Sequence, residues 1–479
     1  MEFLRTEAAG GVALLVAAGI ALVWANSAWS STYHHLWGQR LAIGSGPLGR
    51  SEDLRHWVND GLMSVFFFVV GMEVKRELVR GELRDRRTAL LPVVAAFGGM
   101  VGAALVYLAI AGAAAPRGWA VPMATDIALV LGVLALLGPR VPSGLKLFLL
   151  ALAIADDVGT IVVLALAYST GLDARWLLGA AISFLAVVAL NRVETAHPTV
   201  FVVPALAAWW CTLHSGVPAT VSGVALGLLV PAGPVRGRPL LERLERRIHP
   251  LSSFVVVPLF ALANLGVALG ATALSRAFGG TVGWGVLAAR VVGKPLGVIA
   301  ATVLAVRLGL SALPRGMGRR ELGAAGLLTG LGFTVPLFVA DLAFTSASRV
   351  QAATIALLLG SVVTGAAGAF IVVRLRSGPV ITVALVDDLM DRSRITQAMP
   401  EVTFVRSVAE CSDADVVLVD LARHVASVAA VRAAAPGARI VCFGPHVDEK
   451  AASSARDAGA DEVLARSRFF HDPAAATRS

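Results

Sequence analysis

Cysteine is scarce in this chain. Three occur in 479 residues, Cys211, Cys411 and Cys442, with no CxxC pair and no Cys/His cluster. That excludes a disulfide framework and a thiolate zinc site, and leaves them as small apolar side chains. Charge is thin as well: Asp, Glu, Lys and Arg make up 15% of the residues, where an average soluble domain has about 25%. The first apolar block, from near Gly10 past Trp24, has no long basic region before it and no small-residue cleavage site after it. It is expected to be a retained helix rather than a signal peptide.

What is present is apolar surface in quantity. Hydrophobic residues make up 57% of the chain and mean hydropathy is +0.76. They fall in blocks of roughly 20, the length that spans a hydrocarbon core. Twelve such segments are predicted, near 10–29, 57–72, 88–112, 119–137, 145–169, 175–191, 199–213, 217–232, 251–271, 281–306, 322–345 and 350–373. The loops between them alternate. Lys75, Arg76, Arg80, Arg84, Arg86 and Arg87 lie between the second and third segments. Arg236, Arg238, Arg243, Arg246 and Arg247 follow the eighth, and Arg307, Arg315, Arg319 and Arg320 follow the tenth. The opposite set of loops is poorer in basic residues, which predicts both termini in the cytoplasm. The same placement reads the net charge of +9 as a bilayer signature rather than a nucleic-acid one. The expected class is therefore an all-α polytopic membrane protein of the bacterial inner membrane, with the lipid bilayer as its first partner. A small C-terminal α/β domain follows it.

Two segments are interrupted. The fourth has Pro122 just before Thr125-Asp126, and the eleventh reads GLLTGLGFTVPLF, with Gly330, Gly332 and Pro336 in its middle. Both breaks flank polar residues at mid-membrane depth, which favours unwound helices lining a cavity. Seven ionisable residues are predicted to lie within the segments: Asp60, Asp126, Asp156, Asp157, Arg290, Lys294 and Asp341. Each costs about 2.5–3.5 kcal/mol to insert at the bilayer centre, so a segment that keeps one normally uses it. Asp156-Asp157 is the strongest signal. About twelve residues on each side, roughly 18 Å, put the pair near the midplane. Neighbours on a helix point about 100° apart, so the two carboxylates can serve different partners around one cavity. Buried together they cannot both ionise cheaply, and a carboxylate so placed can hold either a proton or a hard cation. Sodium prefers oxygen ligands, which Asp156, Asp157 and the Thr125 hydroxyl could supply. Competition of ion and proton for one site, with alternating access, is sufficient for antiport.

Lys294, in RVVGKPLGV, lies near the middle of its segment and wants a carboxylate partner; snorkelling to the interface is the alternative. Asp126 reads equally as an ordinary N-cap and as a charge opposing half-helix dipoles. The rival class, a membrane-embedded enzyme, lacks its motifs here. The aspartate pair continues as Val158-Gly159-Thr160 rather than DDxxD, and 330–333 reads GLGF rather than GxGD.

The stretches FFFVVGMEVKREL (66–78), ATDIALVLGVLALLG (124–138), FLLALAIADDVGTI (148–161), GKPLG (293–297) and GLGFTVPLF (330–338) resemble the NhaA family of Na⁺/H⁺ antiporters over residues 1–376. The resemblance implies 12 transmembrane helices with inverted repeats, helices 4 and 11 interrupted. It implies electrogenic exchange of Na⁺ or Li⁺ for external protons, without a cofactor, by a homodimer to which the first extracellular loop contributes. It assigns Asp156 and Asp157 to the ion site, Thr125 and Asp126 to the unwound fourth helix, and Lys294 to the essential lysine, with Asp156 its partner. Glu73, Lys75, Arg76 and Glu77, with Glu245 and His249 in RLERRIHP, match a charged cytoplasmic mouth linked to pH response; solvated loop charges remain the alternative. Two features depart from the family. Its HATLAG-like motif appears as Pro218-Ala-Thr-Val-Ser-Gly, without the histidine. Arg290 and Asp341 stand where no charge is expected. Their opposite signs predict an ion pair between them; the competing reading has Arg290 acting on Lys294, one helical turn away.

After Arg376 the texture changes. Residues 1–376 hold 30 Lys+Arg against 18 Asp+Glu, and residues 377–479 hold 11 against 14. The runs 380–387, 415–420 and 438–444 are β-rich, with Ala/Arg-rich helical stretches between them, which predicts a small parallel α/β domain ending in a disordered tail. Residues 380–465 resemble a response-regulator receiver domain in degenerate form. Asp387 and Asp388 end the first strand and Asp420 the third. Phe443-Gly444 and Leu464-Ala465-Arg466 stand where Ser/Thr and Lys-Pro are usual. An unknown cytoplasmic partner is expected for it.

Overall fold

The computed structural model describes residues 2–44, 46, 49–81, 84, 86–138, 141–192, 199–235, 238–314, 317–374, 381–412, 414–445 and 449–473. The chain divides into two compact units, Met1–Leu375 and Arg376–Ser479.

The first unit is helical. Among the described residues, six helices are long and apolar enough to cross a bilayer: Ala89–Ala111, Gly144–Ala167, Ala174–Arg192, Leu240–Asn264, Thr281–Arg307 and Ala347–Arg374. The pair Ala9–Ala25 and Ser30–Trp37, bent by 115°, makes a seventh if counted as one span. Shorter apolar helices, Ile127–Leu137, Thr199–His214, Ala219–Leu229 and Thr334–Ala343, account for much of the rest. Among the described residues, fewer helices than the twelve predicted segments pass as unaided bilayer spans by length and composition. The apolar segments are cut short where Gly, Pro and buried polar residues redirect the chain. Lipid tails do not drive helix association, so close packing must. Gly98 and Gly102 on one helix face Gly293 and Gly297 on another. A Cβ on Gly98 would sit 2.7 Å from the Gly297 carbonyl, and one on Gly293 would sit 2.7 Å from the Gly102 carbonyl. Gly227 likewise lets its helix reach the Met72 amide, 2.8 Å from where a Cβ would be.

Two features correct the sequence reading. Arg243, Arg246 and Arg247 were expected in a loop, with a segment starting near 251. Instead the helix begins at Leu240 and runs into that segment through a π-turn, Ser252–Val256. Leu241, Glu245 and His249 recur at four-residue spacing and are buried, the stripe of an amphipathic helix. Arg236 and Arg315 lie outside the described residues. The first loop also carries an antiparallel hairpin, Arg40–Ile43 with Arg50–Asp53, where no structure was predicted.

The second unit is a five-stranded parallel sheet. Counting along the chain, Thr382–Leu385, Thr403–Phe404, Val416–Asp420, Arg439–Gly444 and Glu462–Ala465 lie in the order 2-1-3-4-5. Strand alternation feeds two cores. Val417, Val419, Ile440 and Cys442 pack with Val428 and Val431 on one face. Leu418, Val441 and Phe443 pack with Ile395 and Phe469 on the other. Burial, and secondarily the Asp461 charge, pushes the Cys442 thiol up to about 12, so it is an inert core side chain. Of the predicted disordered end, residues 474–479 lie outside the described residues.

Asp420 closes the third strand and caps the next helix, its Oδ1 accepting the Ala422 N–H at 3.1 Å. Burial raises its carboxyl above the ordinary value, opposed by that hydrogen bond and by His424 and Arg423. A raised native value means that the stability it gives is present at low pH and is lost as pH rises through it. Asp420→Asn keeps the cap acceptor and removes the buried charge. Hydrogen exchange across Val416–Asp420 is therefore expected to slow in the variant at pH 7, with a smaller difference near pH 4.

Candidate ion site

Two chain breaks build the site. Residues 124–126 lie outside any helix, between a short turn and the helix Ile127–Leu137, and residues 329–333 likewise separate the helices Arg319–Leu328 and Thr334–Ala343. Pro122 lies in the turn before the first break. Gly330 and Gly332 lie in the second, and Pro336 is tolerated because it falls in the first turn of the helix that follows. The two breaks touch: the Asp126 N–H donates to the Leu331 carbonyl at 3.0 Å, and the Thr125 hydroxyl to the Thr329 carbonyl at 3.0 Å.

The broken segments present opposite ends of their peptide dipoles. Asp126 faces two helix N-termini at once. One carboxylate oxygen accepts from the Leu129 N–H at 3.4 Å, and the other from the Thr334 N–H at 3.2 Å and hydroxyl at 2.9 Å. The N-cap and dipole readings of Asp126 are thus one arrangement. On the carbonyl-rich side stand two cations from the helix Thr281–Arg307. Lys294 Nζ donates to the Met123 carbonyl. Arg290 donates to the carbonyls of Gly330 (2.8 Å), Ala124 (3.0 Å) and Pro122 (3.4 Å).

The paired aspartates part company here. Asp156 is wholly buried, and its Oδ2 accepts from Lys294 Nζ at 2.6 Å and from the Thr125 N–H at 2.8 Å. Its Oδ1 has no partner among the described residues. Asp157 borders a cavity of about 70 Å³ with Thr125, Asp126, Glu73, Arg76, His249 and Thr334. Among the described residues its carboxylate takes no hydrogen bond.

The cavity reaches the charged group around Glu73. Arg76 bonds Glu245 and, at 3.3 Å, Glu77; His249 Nε2 lies 3.6 Å from Glu73. Glu77, Glu245 and His249 are buried, so these are not solvated loop charges. Lys75 makes none of these contacts. Pro218 stands at the N-cap of the helix Ala219–Leu229.

The Arg290–Asp341 ion pair is corrected. Arg290 spends its donors on backbone carbonyls, and Asp341 accepts instead from Asn59 Nδ2 at 3.0 Å. Asn59 in turn exchanges amide bonds with Asn264, 2.8 and 3.3 Å. The sequence reading missed both asparagines, because neutral amides give no charge signal. Asp60 sits beside Asn59 in the π-turn Val58–Leu62, its carbonyl held by Ser64 and Trp209. Asp341→Asn keeps an acceptor for Asn59, so melting temperature and yield of the purified protein are expected to stay near wild type. A charge swap between 290 and 341 is expected not to be tolerated.

Comparison with known proteins shows the family of the helical unit. The family model Na+/H+ antiporter 1 matches residues 1–372. The Na(+)/H(+) antiporter NhaA of Acidovorax sp. (strain JS42) is 46% identical over 363 residues, 74% of this chain and 87% of that protein. That of Serratia proteamaculans (strain 568) is 43% identical over 371 residues, 77% and 95%, and NhaA 2 of Sorangium cellulosum (strain So ce56) is 41% identical over 406 residues, 76% and 87%. The helical unit, its two chain breaks and these matches lead to one statement: the chain belongs to the NhaA family of Na⁺/H⁺ antiporters, multi-pass secondary transporters rather than enzymes.

Proposed function

We propose that the first unit exchanges Na⁺ or Li⁺ for protons electrogenically across the bacterial inner membrane, serving pH and sodium homeostasis. Ion and proton take turns at Asp157, with the Thr125 hydroxyl oxygen and the free Asp156 Oδ1 as further oxygen donors and Asp126 holding the unwound segments together. The observation that carries this reading is the uncommitted Asp157 carboxylate on a cavity beside Thr125, while its neighbour is locked to Lys294. Oxygen donors of this kind suit a hard cation, and a buried carboxylate holds a proton or a cation but gains little from standing ionised and bare. Lys294 fixes Asp156. The Glu73–His249 group, with Arg76, Glu77, Lys75 and Glu245, forms the cytoplasmic mouth and responds to pH through the His249–Glu73 contact.

The finer architecture follows the same reading. Twelve helices in inverted repeats, the fourth and eleventh interrupted, place both termini in the cytoplasm. A homodimer is supported by the exposed hairpin Arg40–Ile43/Arg50–Asp53, whose Leu41 and Ile43 face outward. The test of exchange is a respiration-generated ΔpH in everted vesicles. Adding NaCl should collapse it in proportion to the amount of protein, and no collapse at any pH would refute the reading.

We propose that the second unit is a receiver-like module that has lost phosphotransfer and serves regulation or docking. Its 2-1-3-4-5 strand order is that of doubly wound folds whose ligands bind at the switch point between the first and third strands. There Asp388 is spent as a helix cap on the Met390 and Asp391 amides and Asp420 as another, while Asp387 meets His424 Nε2 at 2.9 Å. Arg466, after the fifth strand, is bound to Asp391. Phosphodonor labelling that disappears in Asp420→Asn would overturn the loss of phosphotransfer.

A further inference from the structure

Arg290 is wholly buried, yet none of its hydrogen bonds reaches a carboxylate. Its Nε, Nη1 and Nη2 spread over three carbonyls on two different chain breaks, a planar fork of donors that a lysine ammonium cannot reproduce. One of the three matters most. The Ala124 carbonyl and the Thr125 N–H belong to the same peptide unit. Arg290 holds its oxygen at 3.0 Å, and Asp156 Oδ2 holds its N–H at 2.8 Å. A peptide plane pinned at both ends cannot rotate, so the Thr125 hydroxyl and the Asp156 carboxylate stay in fixed relation. The space for this is built in. A Cβ on Gly332 would run into the Arg290 guanidinium and would lie 2.7 Å from the Ala124 carbonyl. A Cβ added on Gly360 would meet the aliphatic stem of Arg290 at 3.4 Å, ordinary contact.

We infer that Arg290 is a positioning residue for ion exchange: its guanidinium clamps the Ala124–Thr125 peptide to the Gly330 carbonyl and so fixes the oxygen atoms that receive the ion. The inference rests on the reading of Asp157, Thr125 and Asp156 as the ion site. It assigns the two cations of one helix different work. Lys294 bonds Asp156 itself, and Arg290 orients the peptide that Asp156 leans on.

Proteoliposomes of wild type, Arg290→Lys, Arg290→Gln and Gly332→Ala, assayed over a range of Na⁺, test it. Losing charge-assisted hydrogen bonds at the ion's ligands should raise the Na⁺ KM of Arg290→Gln about tenfold or more. Arg290→Lys should fall between it and wild type, because an ammonium keeps the charge but lacks the planar fork that reaches all three carbonyls. Gly332→Ala, with the arginine intact but displaced, should move KM the same way, and in each case KM should change more than kcat. The Na⁺ concentration giving half-maximal thermal stabilisation of the purified protein should shift in the same order. Wild-type KM and wild-type Na⁺ stabilisation in Arg290→Lys and Gly332→Ala would overturn the inference, as would a fall in melting temperature alone. If Arg290→Gln cannot be purified, the other two variants decide. A wild type that moves no Na⁺ would instead overturn the reading of the site, and this inference with it.

Discussion

Asp157→Asn is expected to reduce Na⁺-dependent proton movement to the background of empty liposomes, with the protein still folded and purifiable. The asparagine matches the shape of the acid, so the cavity walls need not move. Among the described residues Asp157 anchors no other group, so no structural bond is lost. What is lost is the function of the carboxyl: an amide oxygen remains a neutral ligand but neither releases nor regains a proton in the working range. Exchange demands a group that does both. Asp157→Glu, with the same chemistry on a longer stem, should retain measurable exchange with a raised Na⁺ KM. Equal losses in the amide and the glutamate would point to packing rather than protonation.

The second large effect is on stability. Asp156 and Lys294 are both wholly buried and 2.6 Å apart. Removing one partner of a buried ion pair leaves an uncompensated charge and typically costs about 3–5 kcal/mol. Asp156→Asn strands the Lys294 ammonium without a countercharge, leaving it neutral acceptors only, the amide oxygen and the Met123 carbonyl. Lys294→Met strands the carboxylate, which keeps only the Thr125 N–H. Each is expected to lose several degrees of melting temperature. The double variant Asp156→Asn/Lys294→Met should recover much of the loss, because two neutral side chains of similar volume leave no charge to solvate. The double-mutant cycle measures the coupling directly. Additive losses would mean that the pair is not an energetic unit.

How much of this was legible in the sequence depends on whether the signal was a charge or a backbone. Asp156-Asp157 stood out because about a dozen apolar residues flank it on either side, and Lys294 because a lysine in a long apolar run needs a carboxylate. Their meeting follows from burial alone. Gly330, Gly332 and Pro122 marked the chain breaks. What the breaks do was not legible, since they expose carbonyls, and carbonyls have no letter in a sequence. Arg290 was therefore matched to the other unexpected charge, Asp341, of opposite sign, when its partners were Gly330, Ala124 and Pro122. Asp341 found Asn59, a neutral residue that no charge count would offer. The π-turns at Val58–Leu62, Ser252–Val256 and Ala289–Gly293 likewise have no residue signature. Each aims neighbouring side chains: Asn59 at Asp341, Ser252 at the cavity, and Arg290 at the breaks. The helix Leu240–Leu251 was hidden by its arginines, which read as a loop until the buried stripe of Leu241, Glu245 and His249 is laid along a 3.6-residue period. In the second unit, strand alternation was plain. The use of Asp388 and Asp420 as caps was not, because a cap and a phosphoacceptor site require the same residue at the same place.

The central claim is that one carboxylate serves ion and proton in turn, and calorimetric Na⁺ binding to the purified protein at a series of pH values tests it most directly. Competition predicts that apparent affinity falls as the solution becomes more acidic, approaching a tenfold loss per pH unit once the site is mainly protonated. It also predicts that binding releases protons, seen as a heat that varies with the buffer's ionisation enthalpy. An affinity independent of pH, with no proton released on binding, would contradict it.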